Sequence, residues 1–305
     1  MSEIVVLGIF VADAAYRADR QPRMGETILG HGFALGPGGK GSNQAVAAGR
    51  AGGDVAFVSR IGRDTFGALG LEIWRGAGVT PAVEEVGEAT GSAFIFLEEG
   101  SGDNAIIVVP GAAGGLGPGD LDARADLIAG AKVFVTQLEQ PMDAAMRGLE
   151  LARAAGTATI LNPAPAAALP EGMLRLCDYV TPNETEAEAL TGLPVETEDD
   201  ARRAGDALLA KGVAKAVVLT LGARGAYFHS GDVSELIPAY RLGDVVETTG
   251  AGDAFNGAFA VALAEGRAPR EAVRFGCATA SLSVTRPGAA ASMPARAEID
   301  AVLAG

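Results

Sequence analysis

The stretch TTGAGDAFNG, residues 248–257, places two glycines and an aspartate directly ahead of a run with helical character. A Gly-Ala-Gly approach permits positive φ angles and lets a ligand approach the backbone, while the first turn of a helix offers unpaired N–H groups. These features predict an anion site with the carboxylate of Asp253 beside it. Taken alone, the same residues are more simply explained by Asp253 as an N-cap and by Gly250 and Gly252 as loop glycines.

A second glycine-rich stretch, GPGGKGSNQAVAAGRAG, occupies residues 36–52. It contains the spacing GxGxxG, but a dinucleotide fingerprint must follow the first strand immediately, and here a long segment intervenes. A Walker loop is excluded because Lys40 is followed by Gly41 rather than by Ser or Thr. What remains is a glycine-rich helix entry that carries Lys40 and Asn43, with more glycine than a capped turn requires.

Short β-branched runs alternate with helix-length segments along the chain. The runs are 3–10, 54–62, 132–139, 157–165, 178–184 and 215–222, and the helical segments are 43–50, 65–77, 142–155, 184–190, 199–211 and 251–265. This alternation predicts an α/β fold with a doubly wound, mostly parallel central sheet flanked by helices on both faces. Its ligand site is expected at the carboxyl ends of the strands.

Two regions interrupt this alternation. Residues 91–115 predict a hairpin with no helix between its strands, and the long segment between the first strand and the first helix contains the β-like run TILGHGFAL. We therefore expect a single domain, 1–305, with a small β-sheet lid formed by about 12–38 and 91–112. Such a sheet needs something to cover its apolar face, which makes it a natural lid or dimer contact.

Polar side chains follow several of the predicted strands. They are Gln137, Glu139, Asn162, Asn183, Glu184, Glu186 and Thr220, with Gly222 beside the last. Each alone is explained as a solvated loop residue, but parallel strands bring their carboxyl ends to one edge. A carboxylate near an anion hole, an Asn-x-x-Glu able to organise Mg²⁺ through water, and a glycine-rich loop are the parts that phosphoryl transfer requires.

Net charge, cysteine content and the N-terminal residues indicate which partners and which cellular compartment to expect. The formal charge of −14 and the absence of a Lys/Arg cluster argue against nucleic acid or an anionic membrane as partner. The two cysteines, Cys177 and Cys277, have no CxxC spacing, and the two histidines stand far apart, so no metal or redox motif is evident. The N-terminal run is short and lacks a basic lead-in, so we expect a cytoplasmic protein.

The chain closely resembles the ribokinase-like carbohydrate kinase family, within it the ribokinase branch, over essentially its full length. The resemblance depends on GGKGSNQAVAAGR at 38–50 and TTGAGDAFNGAFA at 248–260, with TPNETEAEALTG at 181–192 between them. It implies the doubly wound sheet and the β-lid that closes over a sugar and often pairs with a second subunit's lid, hence a homodimer. It also implies MgATP as phosphoryl donor and a potassium ion beside the anion hole.

The resemblance further implies a role for individual residues. Asp253 would be the base for the sugar's primary hydroxyl, with Gly250, Ala251 and Gly252 forming the anion hole. The implied sugar contacts are Asp13, Gly39, Lys40, Asn43, Glu139 and Asp253. The implied ATP contacts are Asn183, Thr220, Gly222, Gly225, Gly252 and Cys277, and Glu186 would organise Mg²⁺ through water. The potassium loop would include Glu247, Thr249, Ser283, Arg286, Gly288 and Ser292.

Three positions depart from the family's usual pattern. Val11 stands where ribokinases usually have asparagine, and valine cannot hydrogen-bond a hydroxyl. Either the preferred sugar lacks or repositions one hydroxyl relative to ribose, or Val11 faces away or water replaces the contact. Glu247 stands where an aspartate is usual in the potassium loop, and Cys277 replaces a histidine or asparagine against adenine, so a different or weaker adenine contact is expected.

We therefore expect an ATP-dependent kinase that phosphorylates the primary hydroxyl of a pentose, ribose or 2-deoxyribose. A kinase of a nucleoside, a hexose or a sugar acid on the same fold is the first alternative. A non-catalytic sugar or nucleotide sensor is the second, although a sensor has no need of a base such as Asp253. An NAD-dependent oxidoreductase rests only on the GxGxxG spacing.

Overall fold

The computed structural model describes residues 2–101 and 103–305. These residues form fifteen strands: β1 Ile4–Leu7, β2 Val11–Ala18, β3 Gly32–Gly38, β4 Val55–Val58, β5 Arg60–Gly62, β6 Val79–Pro81, β7 Glu84–Val86, β8 Thr90–Glu98, β9 Asn104–Gly111, β10 Val133–Thr136, β11 Ala158–Leu161, β12 Tyr179–Val180, β13 Ala216–Thr220, β14 Ala226–His229 and β15 Ser234–Ile237. The same residues form ten α-helices: α1 Lys40–Arg50, α2 Thr65–Gly76, α3 Pro118–Asp122, α4 Ala125–Ala129, α5 Met142–Ala155, α6 Glu184–Thr191, α7 Glu198–Ala210, α8 Ala251–Ala264, α9 Pro269–Ser283 and α10 Arg296–Ala304.

The main sheet has nine strands in the order β15-β14-β13-β12-β11-β10-β1-β4-β6. The seven strands β13, β12, β11, β10, β1, β4 and β6 pair in parallel, and β14 and β15 close one edge with antiparallel pairs. Side chains of β1 alternate between two cores: Ile4 and Val6 pack with α1, α8 and α9, whereas Val5 and Leu7 pack with α5 and α7. The predicted doubly wound, mostly parallel sheet with helices on both faces is confirmed.

A separate four-stranded sheet has the order β3-β2-β8-β9. The sequence correctly indicated the β8–β9 hairpin, but it placed the β-like run of the first segment at 27–35, and the strand instead spans Gly32–Gly38. Strand β2 was missed because its VADAAYRA sequence is rich in alanine, a poor strand former. Pairing with β3 on one side and β8 on the other overrides that weak local preference.

The two faces of the small sheet differ in character. Alternation along β2 places Val11 and Asp13 on one face and Tyr16 on the other. On the second face the ring of Tyr16 contacts those of Phe33 and Phe94, and all three are exposed. An apolar face is therefore left open to solvent while the opposite face carries the Asp13 carboxylate.

Helix ends differ from the sequence prediction by up to three residues. The largest difference is at α1, which begins at Lys40 rather than at Asn43 because Gly39, with φ of 88°, turns the chain directly into the helix. Both cysteines are buried and unpaired. Among the helices of residues 2–101 and 103–305, none is long and apolar enough to cross a membrane.

Candidate active site

The N-terminus of α8 provides backbone donors in a cavity. Gly250 precedes the helix with φ of 79°, and a Cβ at this position would lie 2.9 Å from the Cβ of Ala289. Within the described residues, the N–H of Ala251 donates to Thr248 O, whereas those of Gly252 and Asp253 donate to no protein acceptor. The helix therefore presents two free amides where its dipole favours negative charge.

The carboxylate of Asp253 is held beside these donors by two amides of α1. Asn43 Nδ2 donates to Oδ2 and Gln44 Nε2 donates to Oδ1, each at 3.0 Å. Asp253 is only 6% exposed, and this burial raises its pKa above the usual range. The charge of Lys40 and the two amides act in the opposite direction and favour the ionised form.

The N-terminus of α1 also lies near Asp253, and its first amide already binds a second carboxylate, that of Glu139. The backbone N–H of Lys40 donates to Glu139 Oε2 at 2.7 Å. Gly39 makes this approach feasible, because a Cβ there would lie 2.5 Å from the carbonyl oxygen of Ile9. Burial raises the pKa of Glu139, and the neighbouring charges of Asp253 and Asp13 raise it further.

Asp13 reaches this group from the small sheet. It pairs in register with Gly36 and lies so close to Gly38 that a Cβ on that glycine would be 2.2 Å from Asp13 Oδ1. Burial raises the pKa of Asp13 to about 6. The small sheet, the α1 entry and the α8 entry thus bring together the residues that the sequence analysis assigned to sugar binding: Asp13, Gly39, Lys40, Asn43, Glu139 and Asp253.

A cavity of about 710 Å³ opens beside the N-terminus of α8. Its lining includes all six residues assigned to the nucleotide, Asn183, Thr220, Gly222, Gly225, Gly252 and Cys277. It also includes residues that the sequence analysis missed, Tyr240, Arg241, Leu242, Val245 and Phe255. No sequence motif marks the first four of these; Tyr240 packs against the core, whereas Arg241, Leu242 and Val245 are exposed.

Glu186 and Asn183 cap helix α6 reciprocally. Asn183 Oδ1 accepts from the N–H of Glu186 at 2.8 Å, while the N–H and Nδ2 of Asn183 donate to the two carboxylate oxygens of Glu186. Burial raises the pKa of Glu186. Glu186 is therefore buried in a capping box rather than being the solvated loop residue that is the alternative from sequence. In residues 2–101 and 103–305, no three His, Cys, Asp or Glu side chains cluster as metal ligands.

The residues assigned to a potassium loop lie in two segments that are tied together. The N–H of Gly288 donates to Glu247 Oε2 at 2.8 Å, and the N–H of Glu247 approaches Val284 O. Thr249 precedes the α8 cap, Ser283 ends α9, and Arg286 pairs with Glu298. Ser292 donates its hydroxyl to Ala289 O at 2.8 Å. The longer Glu247 side chain thus bonds the opposite turn.

The family model described as pfkB family carbohydrate kinase matches residues 1–296. The chain belongs to this family.

Individual pfkB relatives match along nearly the whole chain. A ribokinase of Haemophilus influenzae is 39% identical over 297 residues, covering 97% of this chain and 96% of its own. A deoxyribokinase of Salmonella typhimurium is 35% identical over 296 residues, covering 96% and 95%. The solved structure of Arabidopsis thaliana ribokinase complexed with ribose and ATP has a TM-score of 0.94 at 34% identity and covers 99% and 98%. The chain is a carbohydrate kinase, and the resemblance drawn from its motifs is confirmed.

Sequence reasoning missed two of the amides buried at this pfkB site. Gln44 bonds Asp253 directly, and Asn256 lies three residues beyond Asp253 and donates to Gly252 O at 2.8 Å. Both stand in otherwise small or apolar helical runs, AVAAG and AFNGAFA. A buried amide in such a run requires a partner, which is the signal that could have identified them.

Proposed function

We propose that this protein transfers the γ-phosphoryl group of ATP to the primary hydroxyl of a pentose, ribose or 2-deoxyribose. The observation that carries the proposal is the carboxylate of Asp253 beside the free amides at the start of α8. Support comes from the ribokinase and deoxyribokinase relatives and from the likeness to a ribokinase structure with ribose and ATP. The cytoplasmic location expected from the sequence stays a prediction.

In this proposal Asp253 accepts the proton of the sugar hydroxyl as that oxygen attacks phosphorus. Its ionised form is favoured by the amides of Asn43 and Gln44 and by the charge of Lys40. The free N–H groups of Gly252 and Asp253 stabilise the negative charge that develops on the transferred group. Backbone donors of this kind contribute about 3 kcal/mol each in other enzymes.

The sugar would bind between the α1 entry and the small sheet. Asn43 Oδ1 is buried and accepts no hydrogen bond within the described residues, so a sugar hydroxyl would satisfy it. Asp13 and Glu139 add carboxylate acceptors, and the positive charge of Lys40 lies close enough to favour the ionised forms of Glu139 and Asp253. These groups hold the primary hydroxyl near Asp253 and exclude water once the small sheet covers them.

The cavity lined by Asn183, Thr220, Gly222, Gly225 and Cys277 would hold ATP. Mg²⁺ fits this site as an ion that keeps several waters and binds mainly to phosphates, since Glu186 is the one carboxylate assigned to it. When bound, it neutralises charge on the phosphate oxygens. Oxygen atoms of Glu247, Thr249 and Ser292 and of the turn around Gly288 have the hard-donor chemistry that K⁺ prefers.

We further propose that the small sheet pairs with that of a second subunit. Its outer face exposes Tyr16, Phe33, Leu35, Phe94 and Ile107, an apolar surface too large to leave without a partner. A single charge placed at its centre, Phe94→Lys, should convert a dimer into a monomer in sedimentation velocity. A wild-type protein that sediments as a monomer would contradict this proposal.

The experiment that tests the function is ADP release from MgATP over a panel of ribose, 2-deoxyribose, hexoses, sugar acids and nucleosides, each with and without K⁺. We expect a pentose to give the highest kcat/KM. A nucleoside, hexose or sugar acid ahead of both pentoses would instead establish the corresponding alternative kinase. Absence of turnover on every compound, with sugar binding intact, would favour a sensor.

A further inference from the structure

A chain of buried side-chain amides runs behind Asp253, away from the sugar and the nucleotide. It begins at the carbonyl oxygen of Thr181, which accepts from Asn162 Nδ2 at 3.1 Å. Asn162 Oδ1 accepts from Gln44 Nε2 at 3.0 Å, and the same nitrogen donates to Asp253 Oδ1 at 3.0 Å. Hydrogen bonds thereby link three side chains, those of Gln44 on α1, Asp253 on α8 and Asn162 at the end of β11, to the backbone at the end of β12.

The backbone carbonyl fixes the orientation of every amide in this chain. A carbonyl oxygen can only accept, so Asn162 must turn its NH₂ toward Thr181 and its Oδ1 toward Gln44. Gln44 must then direct its NH₂ at Asn162, and the second hydrogen of that group is directed at Asp253. The opposite orientation would place an oxygen of Gln44 against two other oxygens.

Gln44 is fully satisfied and has no room for another arrangement. Its Oε1 accepts from Gln137 Nε2 at 2.6 Å, and its side chain has no exposed surface. A buried amide with all its hydrogen bonds formed has one orientation, since any rotation leaves several polar groups unpaired. The amide is therefore a fixed donor to the carboxylate.

We propose that Gln44 is a positioning residue for phosphoryl transfer: it holds Asp253 Oδ1 in place, so that Oδ2, beside Asn43, is the oxygen directed at the sugar hydroxyl. The inference rests on the proposed function, because it takes Asp253 to be the base. Gln44 itself touches neither sugar nor nucleotide. It acts by fixing the rotation of the carboxylate and by favouring its ionised form.

The same threonine also anchors the turn that carries the free amides. Thr181 Oγ1 donates to Asn256 Oδ1 at 2.6 Å, and Asn256 Nδ2 donates to the carbonyl oxygen of Gly252 at 2.8 Å. One residue at the end of β12 thus orients the carboxylate through its carbonyl group and the peptide of Gly252 through its hydroxyl. Base and anion hole are held by a common support.

Several charged groups face Asp253 and remain in place when Gln44 is changed. Lys40 on α1 favours the ionised carboxylate, whereas Glu139 after β10 and Glu186 on α6 oppose it, with Asp13 of the small sheet beyond Glu139. None of them bonds Gln44. A change in the pH dependence of a Gln44 variant therefore reports on the lost amide.

The test uses Gln44→Met, which keeps the length of the side chain and removes both donors. Loss of a hydrogen bond to the ionised form raises the pKa of a carboxyl group, so the acidic limb of the kcat profile should move up by about one pH unit or more. At pH 7 we expect kcat to fall about tenfold and to recover partly at higher pH, since a hydrogen bond to a charged group is lost. The KM for sugar should change little.

Gln44→Glu provides a second variant of unchanged shape. Its carboxyl group can still accept from Gln137 but puts a like charge against Asp253, so the acidic limb should move further in the same direction. This variant decides the question if Gln44→Met does not fold. The matched control is Gln140→Met, the same change at a buried glutamine that bonds Thr136 and the backbone carbonyl group of Gln137 but neither Gln44 nor Asp253.

The proposal is overturned if both Gln44 variants keep the wild-type acidic limb and kcat. It is overturned as well if Gln140→Met shifts the limb equally, because the effect would then be general loosening. Failure of the proposed function is distinguished by Asp253→Asn: wild-type turnover in that variant removes the base itself, whatever the Gln44 variants do.

Discussion

The helices α1 and α8 begin at the site in similar ways, but they differ in whether their N-terminal amides already bind an acceptor of the protein. Each follows a glycine with positive φ, 88° at Gly39 and 79° at Gly250, and each directs its N-terminus at the Asp253 carboxylate or its surroundings. At α1 the first amide is taken by the protein's own carboxylate, Glu139. At α8, within the described residues, the amides of Gly252 and Asp253 have no protein acceptor.

This difference separates binding from chemistry. The Glu139 carboxylate held at the α1 entry repels a second anion, so this end of the helix is better suited to neutral hydroxyl groups placed among acceptors. The open end of α8 has two donors free for an anion, and Asp253 lies between the two ends. We therefore expect changes at Glu139 and at the free amides of α8 to have separable effects, although Asn43 and Gln44 of α1 also hold Asp253.

The largest effect is expected from a pair of isosteric changes, Asp253→Asn and Glu139→Gln. Loss of a general base costs about 10² to 10⁴ in rate, so Asp253→Asn should lower kcat by about a thousandfold while sugar still binds in calorimetry. Glu139→Gln keeps an acceptor for Lys40 N–H and should mainly raise the KM for sugar. Equal effects of the two changes on kcat would contradict the assignment of sugar binding to the α1 entry and of phosphoryl transfer to α8.

The stability of Asp253→Asn provides a separate check. Burial raises the pKa of Asp253 in the folded protein, so its ionised form makes folding less favourable as pH rises through that pKa. Removing the charge should leave the melting temperature at pH 7 unchanged or higher. The N-cap of α8 is Gly250, and within the described residues Asp253 makes no capping bond, so a large drop would instead indicate that its bonds to Asn43 and Gln44 stabilise the fold.

The next effect is expected from Gly250→Ala, compared with Gly266→Ala. Both glycines have φ of 79°, but a Cβ at 250 meets Ala289 at 2.9 Å, whereas a Cβ at 266 has open space. Each change should cost about 1 to 2 kcal/mol of stability through backbone strain. Only Gly250→Ala should also lower kcat, by about tenfold or more, since it displaces the free amides. Comparable turnover of the two variants would argue against an anion hole at α8.

Much of the main sheet could be predicted from the sequence, because its parallel strands are buried on both faces and appear as continuous apolar runs such as IVVL and VFVT. Strand β2 could not, because its alanines carry little strand preference and its pairing partners, Gly32–Gly38 and Thr90–Glu98, are distant in sequence. Local patterns give helices and buried strands, whereas pairing between remote segments decides the small sheet.

For the site, the glycine motifs located Asp253, Lys40 and Asn43 because glycine marks backbone positions that other residues cannot adopt. A buried amide in an apolar run indicates that a partner exists, but the partners of Gln44 and Asn256, Asn162 and Thr181, could not be predicted because they follow other elements distant in sequence. The loop that carries Tyr240 and Leu242 was missed because it lines the cavity without any recognisable motif.

A smaller effect is expected of pH on the affinity for sugar, through the carboxylate of Asp13. Burial raises the pKa of Asp13 to about 6, so the carboxylate becomes protonated and loses an acceptor as pH falls through that value. Sugar affinity measured by calorimetry without nucleotide should fall by up to about tenfold for each pH unit below about 6. Asp13→Asn should flatten this dependence, and Glu139→Gln should leave the Asp13 limb in place. An unchanged slope in Asp13→Asn would remove Asp13 from the sugar site.

The smallest effect concerns Val11, which lies on the same face of β2 as Asp13 and is 4% exposed. Its neighbours are apolar, and a Cβ on Gly91 would come within 2.9 Å of Val11 Cγ1, so the side chain is held tightly. A buried polar group here needs a partner, and a hydroxyl of ribose that 2-deoxyribose lacks would supply one.

Val11→Asn should therefore raise the ratio of kcat/KM for ribose over 2-deoxyribose by about five- to tenfold, the equivalent of one ordinary hydrogen bond. Val11→Ala controls for the change in volume and should leave the ratio unaltered while lowering both values. If the wild-type protein already prefers ribose and Val11→Asn does not alter the ratio, water or a neighbouring group supplies the contact, and Val11 shapes the wall of the sugar site without selecting the sugar.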